Sequence, residues 1–272
     1  CSDLPGGAGL SSSAALGILT ATVLKNLFDI PVPNRLCAII GQFAENRFVG
    51  VNCGIMDQFA SAMGSCGSAV MLNSGSLLCR NIKIPLENTD IVIINSLVKR
   101  TLAGSAFNDR RNECETALKL LKEKTGATAL CDISPETFEK NKNILPPVVM
   151  RRAKHVIYEN ARVINAAKVL KSGDLAAFGR LMNDSHISLR DDFEVSCPEL
   201  DFITENARNF EGVYGSRLTG AGFGGCTVSL VERAKTKEFA DYITRIYKEK
   251  YNIDPKVYVV TAADGARLLN KF

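Results

Sequence analysis

The sequence has two histidines, His155 and His186, in 272 residues. A histidine-based nucleophile relay or a multi-histidine metal centre therefore has little to work with. Nine cysteines are present, yet no two are spaced C-x-x-C, and several sit in apolar helical or strand contexts. That pattern suits reduced thiols in a cytoplasmic protein rather than a disulfide framework or a zinc site. No apolar run approaches the roughly 18 residues of a membrane span, and no signal peptide is visible. Internal repeats and low-complexity segments are missing too. The net charge of +4 is spread along the chain. Its densest point, Arg151, Arg152 and Lys154, reads as a solvated helix face rather than a nucleic-acid patch. What remains is an ordinary globular composition, 46% hydrophobic and 23% charged, long enough for one large domain or two smaller ones.

The richest stretch is Leu4-Pro-Gly-Gly-Ala-Gly-Leu-Ser-Ser-Ser-Ala-Ala-Leu16. Gly6, Gly7 and Gly9 allow close backbone approach to a ligand. Any of Ser11, Ser12 and Ser13 can cap the helix that follows, which carries Ala14, Ala15, Ile18 and Leu19. A glycine loop opening a helix presents unpaired N–H groups at the positive dipole end, a setting that favours phosphate. No Gly-Lys-Ser/Thr follows, which excludes a Walker A loop, and the G-x-G-x-x-G spacing of a dinucleotide turn is absent. Taken alone, these residues also fit a glycine-rich turn with a serine cap and no ligand.

Periodicity predicts helices over Ser11–Phe28 and Asn34–Phe48, the second carrying Glu45 in its last turn, and a short buried helix at Met56–Met63 with Asp57 near its start. Strands are expected at Ser68–Leu72, Cys79–Ile84 and Asp90–Asn95. Helices follow over Asn108–Lys124, Pro146–Lys171 and Leu175–Arg190. Strands Val213–Leu218 and Thr227–Val231 frame a second glycine loop. A helix at Lys235–Lys250, a strand at Val257–Val260 and a short closing helix at Ala262–Leu269 complete the chain. The change of character near Asn95 places a boundary there, giving domains 1–95 and 96–272, the second of α+β type. In the second loop, Gly220-x-Gly222-x-x-Gly225 has dinucleotide spacing but runs into a strand, where a dinucleotide turn must open a helix. Asp57 alone could be a helix cap, and Glu45 alone a solvated charge beside Arg47.

Pro5-x-Gly-x-Gly-Leu-Ser-Ser-Ser-Ala-Ala15 resembles the phosphate loop of the GHMP kinases. Cys53-Gly-Ile-Met-Asp-Gln-Phe59, Ser188–Leu200 and Arg217–Thr227 narrow the resemblance to the galactokinase family within them, in that family's order along nearly the whole chain. The resemblance implies a two-domain α+β GHMP fold: an N-terminal domain like ribosomal S5 domain 2, incomplete here, and a ferredoxin-like C-terminal domain. The chain looks like a family member lacking its N-terminal portion, which in the family carries the first strands, much of the sugar site and an arginine beside the catalytic aspartate. Little turnover is then expected of these residues by themselves.

The implied reaction moves the γ-phosphate of ATP to the anomeric hydroxyl of α-D-galactose. The resemblance puts the phosphates on Gly7, Ala8, Gly9, Leu10, Ser11, Ser12 and Ser13. Mg²⁺ falls between Ser13 and Glu45, oxygen donors of the kind this hard cation takes. Asp57 faces the sugar hydroxyl, with Gly54 and Phe107 also at the sugar. Phe107 is a departure, since galactokinases usually carry tyrosine there and the related N-acetylgalactosamine kinases tend to carry phenylalanine. The lost hydroxyl is worth about 0.5–1.5 kcal/mol net. A non-catalytic sugar and ATP sensor is the other alternative, but such sensors lose the Ser-Ala dipeptide that stands here as Ser13-Ala14. The expected partners are a small sugar and ATP, with no nucleic acid and no membrane, in a monomer.

Overall fold

The computed structural model describes residues 4, 6, 9–50, 53–98 and 103–269. They form two compact units, residues 1–87 with 260–272, and residues 88–259. The boundary expected at Asn95 falls earlier because Thr89–Asn95 is a strand of the second unit's sheet, paired from Thr89↔Glu232 to Asn95↔Cys226.

In the first unit, helices α1 (Ser12–Leu27), α2 (Asn34–Ala44) and α3 (Met56–Met63) surround a core of Ile18, Cys37, Ala38, Ile55, Phe59 and Ala62. Helix α1 buries Ala14, Ile18 and Thr22, while Leu16, Leu19, Val23 and Leu27 remain exposed. The periodicity that predicts one helix to Phe48 conceals a change of winding: α2 ends at Ala44 and a π turn runs from Glu45 to Val49. A hairpin of β1 (Ser68–Leu72) and β2 (Cys79–Lys83) follows, antiparallel in register Ser68↔Lys83 to Leu72↔Cys79.

The helix expected at Ala262–Leu269 does not form. Instead the segment lies along the end of α3. Ala266 N–H donates to Ser61 O at 2.8 Å and Gly265 N–H to Gly64 O at 2.9 Å, while Ala262 O accepts from Gly67 N–H at 3.0 Å. Backbone groups committed to α3 and to the start of the hairpin are not free for a helix's own i−4 pattern.

The second unit runs β3 (Thr89–Asn95), α4 (Ala103–Thr125), α5 (Pro135–Asn141), α6 (Pro147–Lys171), α7 (Leu175–Asp191), α8 (Pro198–Arg208), β4 (Val213–Thr219), β5 (Cys226–Glu232), α9 (Thr236–Tyr251) and β6 (Lys256–Val260). Its sheet order is β4-β5-β3-β6, the strand order of a β-α-β-β-α-β ferredoxin-like layer. Val92, Ile94 and Val231 of the sheet pack with Ile203 and Ala207 of α8 and with Phe239, Ile243 and Tyr247 of α9. Helices α4, α5 and α6 share a separate core around Leu121, Phe138 and Ile157.

The basic cluster expected on a solvated face is not solvated throughout. Arg152 is 2% exposed and pairs with Glu113 at 2.8 Å and Glu194 at 2.6 Å. Helix α6 sits between α4 and the segment after α7, so that position faces inward. Both histidines are structural. His186 Nδ1 accepts from Leu218 N–H at 3.1 Å, so the ring proton is on Nε2, which is 3.1 Å from Asp201 Oδ1. His155 Nδ1 lies 3.0 Å from Ser188 Oγ, and burial pushes the imidazole down to about 4.

Candidate active site

Helix α1 starts without a cap. Ser11 stands at its N-cap with φ 59 and ψ 32, a left-handed conformation, and its side chain accepts no hydrogen bond from the helix start. The first turn contains no acidic residue. The cap expected from a serine is thus not made by Ser11, and among the described residues no side chain caps the leading N–H groups. Gly9 precedes them at φ 76, and the helix start presents its N–H groups at the positive end of the dipole. Gly7 and Ala8 lie outside the described residues. Leu10, Ser11 and Ser12 are half-buried and Ser13 is exposed.

Ser13 and Glu45 line the same groove between α1 and α2, of 830 Å³, whose other walls include Leu16, Leu24, Ile40 and Phe48. Glu45 is half-buried at the start of the π turn, and such turns recur at functional sites. Its two oxygens differ. Oε2 lies 3.1 Å from Cys53 Sγ, whereas Oε1 is buried without a hydrogen-bond partner among the described residues. A buried carboxylate oxygen with no donor costs free energy unless a cation or water reaches it. Burial first, and then the bond to Glu45, raises the Cys53 thiol above its ordinary value.

Asp57 is half-buried in the first turn of α3, where the helix dipole favours negative charge. Among the described residues its carboxylate has no hydrogen-bond or ion-pair partner. Its neighbours in the chain are packed into the core. Ile55 and Phe59 enter the core shared with Ile18 of α1, and Gln58 is 1% exposed. Gly41 of α2 admits this packing, because a Cβ there would lie 3.3 Å from Ile18 Cδ1 and 3.4 Å from Gln58 Cγ. One glycine therefore sits where the helices carrying Ser13, Glu45 and Asp57 converge. Gly54 is exposed, one residue before the turn into α3.

In the second unit, Phe107 is half-buried on α4. The glycine loop 220–225 joins β4 to β5 with no helix after it, which disposes of the dinucleotide spacing. It packs instead on the Ser188–Leu200 block. Phe223 N–H donates to Val195 O at 2.6 Å, and a Cβ on Gly222 would lie 2.1 Å from that oxygen. Arg110 and Arg152 brace the same segment, donating to Phe193 O and Asp192 O, each at 2.6 Å. Sequence reasoning quoted both blocks without seeing that they touch. It also passed over Cys53, whose only signal was its place at the head of the block that contains Asp57.

Residues 1–65 match the GHMP kinases N terminal domain and residues 166–249 the GHMP kinases C terminal domain. The chain is 46% identical over 269 residues to a galactokinase of Clostridium acetobutylicum, a match covering 98% of this chain and 69% of that protein. It is 44% identical over 268 residues to a galactokinase of Bacillus subtilis, with the same coverage. The crystal structure of Lactococcus lactis galactokinase complexed with galactose superposes with a TM-score of 0.94 at 38% identity, over 98% of this chain and 69% of that one.

Proposed function

The chain belongs to the galactokinase family of GHMP kinases, and from that premise we propose that it transfers the γ-phosphate of ATP to the anomeric hydroxyl of α-D-galactose, giving galactose 1-phosphate and ADP. The observation that carries the residue assignment is the uncapped start of α1 opening beside a groove that both Ser13 and Glu45 line. The loop through Gly7 to Ser13 binds the triphosphate with backbone N–H groups and the dipole of α1. No lysine is needed for this, since the donors are main-chain.

Mg²⁺ suits Glu45 and Ser13. Among the described residues Glu45 Oε1 has no hydrogen-bond partner, and one or two protein oxygens are the usual share for Mg²⁺ in a nucleotide site. When bound, the cation neutralises charge on the phosphate oxygens. Asp57 receives the sugar hydroxyl. Its carboxylate has no competing partner among the described residues, so it is available to orient that hydroxyl and take its proton as the oxygen attacks. Gly54, with nothing within 4 Å of a would-be Cβ, leaves room for the sugar beside it.

One observation favours a second reading. Phe107 supplies a ring without the hydroxyl that galactokinases usually place there, as N-acetylgalactosamine kinases do. Protein made from the complete gene, given ATP, Mg²⁺ and either sugar, separates the two by ³¹P NMR of the products. Galactose 1-phosphate as the faster product is expected, with Asp57→Asn slowing transfer by about 10²- to 10⁴-fold. Faster phosphorylation of N-acetylgalactosamine would establish the second reading. Transfer to a different hydroxyl would remove Asp57 from its assigned place.

A further inference from the structure

Cys53 has no part in the transfer as set out above, yet its bonds converge on the groups that do. Its backbone N–H donates to Asn46 Oδ1 at 3.0 Å, and its carbonyl accepts from Gln42 Nε2 at 3.1 Å. The residue is thereby fixed to α2 and to the π turn at once. Its sulfur lies 3.1 Å from Glu45 Oε2 and 3.3 Å from Asn46 Oδ1, and Gln58 Nε2 donates to it at 3.5 Å. A thiol has one proton to give, and the charged carboxylate is the stronger of the two acceptors. Three pieces of chain therefore meet on one sulfur atom: the π turn with Glu45, the loop before α3, and the first turn of α3 with Gln58 beside Asp57.

At the two ends of this network, Glu45 Oε1 and Gln58 Oε1 are both buried without hydrogen-bond partners among the described residues. The thiol holds one oxygen of the carboxylate and leaves the other free. A buried cysteine that merely fills space would show packing contacts and an idle sulfur. Here the backbone N–H, the carbonyl and the sulfur of Cys53 are all engaged by side chains.

We propose that Cys53 is a positioning residue: its S–H holds Glu45 Oε2 so that Oε1 is presented to the nucleotide-bound cation, and its bond with Gln58 couples that carboxylate to the helix turn bearing Asp57. The proposal rests on the assignment of Glu45 as a cation ligand. A thiol is suited to this work because it is a weak donor. It orients the carboxylate without drawing off the charge the cation needs, whereas partners of this outer kind typically change metal affinity 10- to 100-fold when lost.

The test uses protein from the complete gene, its Cys53→Ala and Cys53→Ser variants, and Glu45→Gln as the reference. The readout is Mn²⁺ binding in the presence of ADP, followed by the electron paramagnetic resonance of free Mn²⁺, beside KM for galactose. Cys53→Ala is expected to weaken Mn²⁺ binding about tenfold with KM for galactose unchanged. Cys53→Ser, which keeps a donor on a shorter bond, is expected to fall between wild type and Ala. If the Ala variant does not fold, the Ser variant decides alone. Wild-type Mn²⁺ affinity in the folded cysteine variants, with Glu45→Gln impaired, overturns the role of Cys53 and leaves Glu45 in place. Wild-type affinity in Glu45→Gln overturns the ligand assignment and this proposal with it.

Discussion

Replacing Gly222 by alanine tests whether the second glycine loop and the Ser188–Leu200 block are one mechanical element. Gly222 has φ +81, and a Cβ there would stand 2.1 Å from Val195 O and 2.9 Å from Val195 Cβ. The positive φ alone costs an alanine about 1–2 kcal/mol. The carbonyl cannot retreat freely, because Phe223 N–H donates to it at 2.6 Å, and losing that bond costs about another 1 kcal/mol. Nor can the segment shift as a whole, since Arg110 and Arg152 hold Phe193 O and Asp192 O, and Val195 packs with Leu189, Leu200 and Leu218. The combined penalty is about 3 kcal/mol, which for a unit of this size lowers Tm by roughly 6–12 °C. Scanning calorimetry reads it directly. Gly75→Ala is the control, where the new Cβ meets only Asn73 Oδ1 at 3.5 Å. A loss for Gly222→Ala under about 1 kcal/mol, no more than an ordinary surface change, would refute the reasoning.

Other perturbations follow from the same geometry. At Gly179 of α7 a Cβ would lie 1.9 Å from Tyr214 O, so Gly179→Ala should separate α7 from β4, and limited proteolysis should cut the second unit far faster than in wild type. Gly17 on α1 has nothing within 4 Å of a would-be Cβ. Gly17→Ala should therefore stabilise by about 0.5–1 kcal/mol in urea unfolding. His155 titrates near 4 when folded, against an ordinary 6.5. The unfolded chain thus binds more protons between those values, and stability should fall as pH drops from about 6.5 toward 4, by up to about 3 kcal/mol. His155→Gln should flatten that part of a stability–pH curve, and an unchanged slope would show that His155 is not its source.

Most helices were legible because their apolar spacing and their ends agree. Helices α5 and α8 were overlooked although their signals are local: Ser134 caps Thr137 N–H at 3.1 Å with Pro135 after it, and Pro198 precedes Glu199 and Asp201 in a first turn. The residues 262–269 were misassigned for a different reason. Their composition is helical, but their backbone partners lie on α3 and at the start of the hairpin, some 200 residues earlier in the chain. Arg152 was assigned to solvent because charge in sequence carries no information about the carboxylates of Glu113 and Glu194 that bury it. At the candidate site, glycines and serines suggested a phosphate loop, whereas the left-handed Ser11, the π turn at Glu45 and the bond from Cys53 to Glu45 are tertiary facts. Residue types were visible; which atom of Glu45 is held and which is free was not.

The central claim is that Gly9 to Ser13 and Glu45 form one Mg²⁺-triphosphate site. A crystal structure of the protein with Mg²⁺ and a non-hydrolysable ATP analogue tests it most directly. Phosphate oxygens about 2.9 Å from the N–H groups of that loop, with the cation about 2.1 Å from Glu45 Oε1 and Ser13 Oγ, are the predicted result. A triphosphate bound away from the start of α1, or a cation that leaves Glu45 Oε1 untouched, would contradict the account.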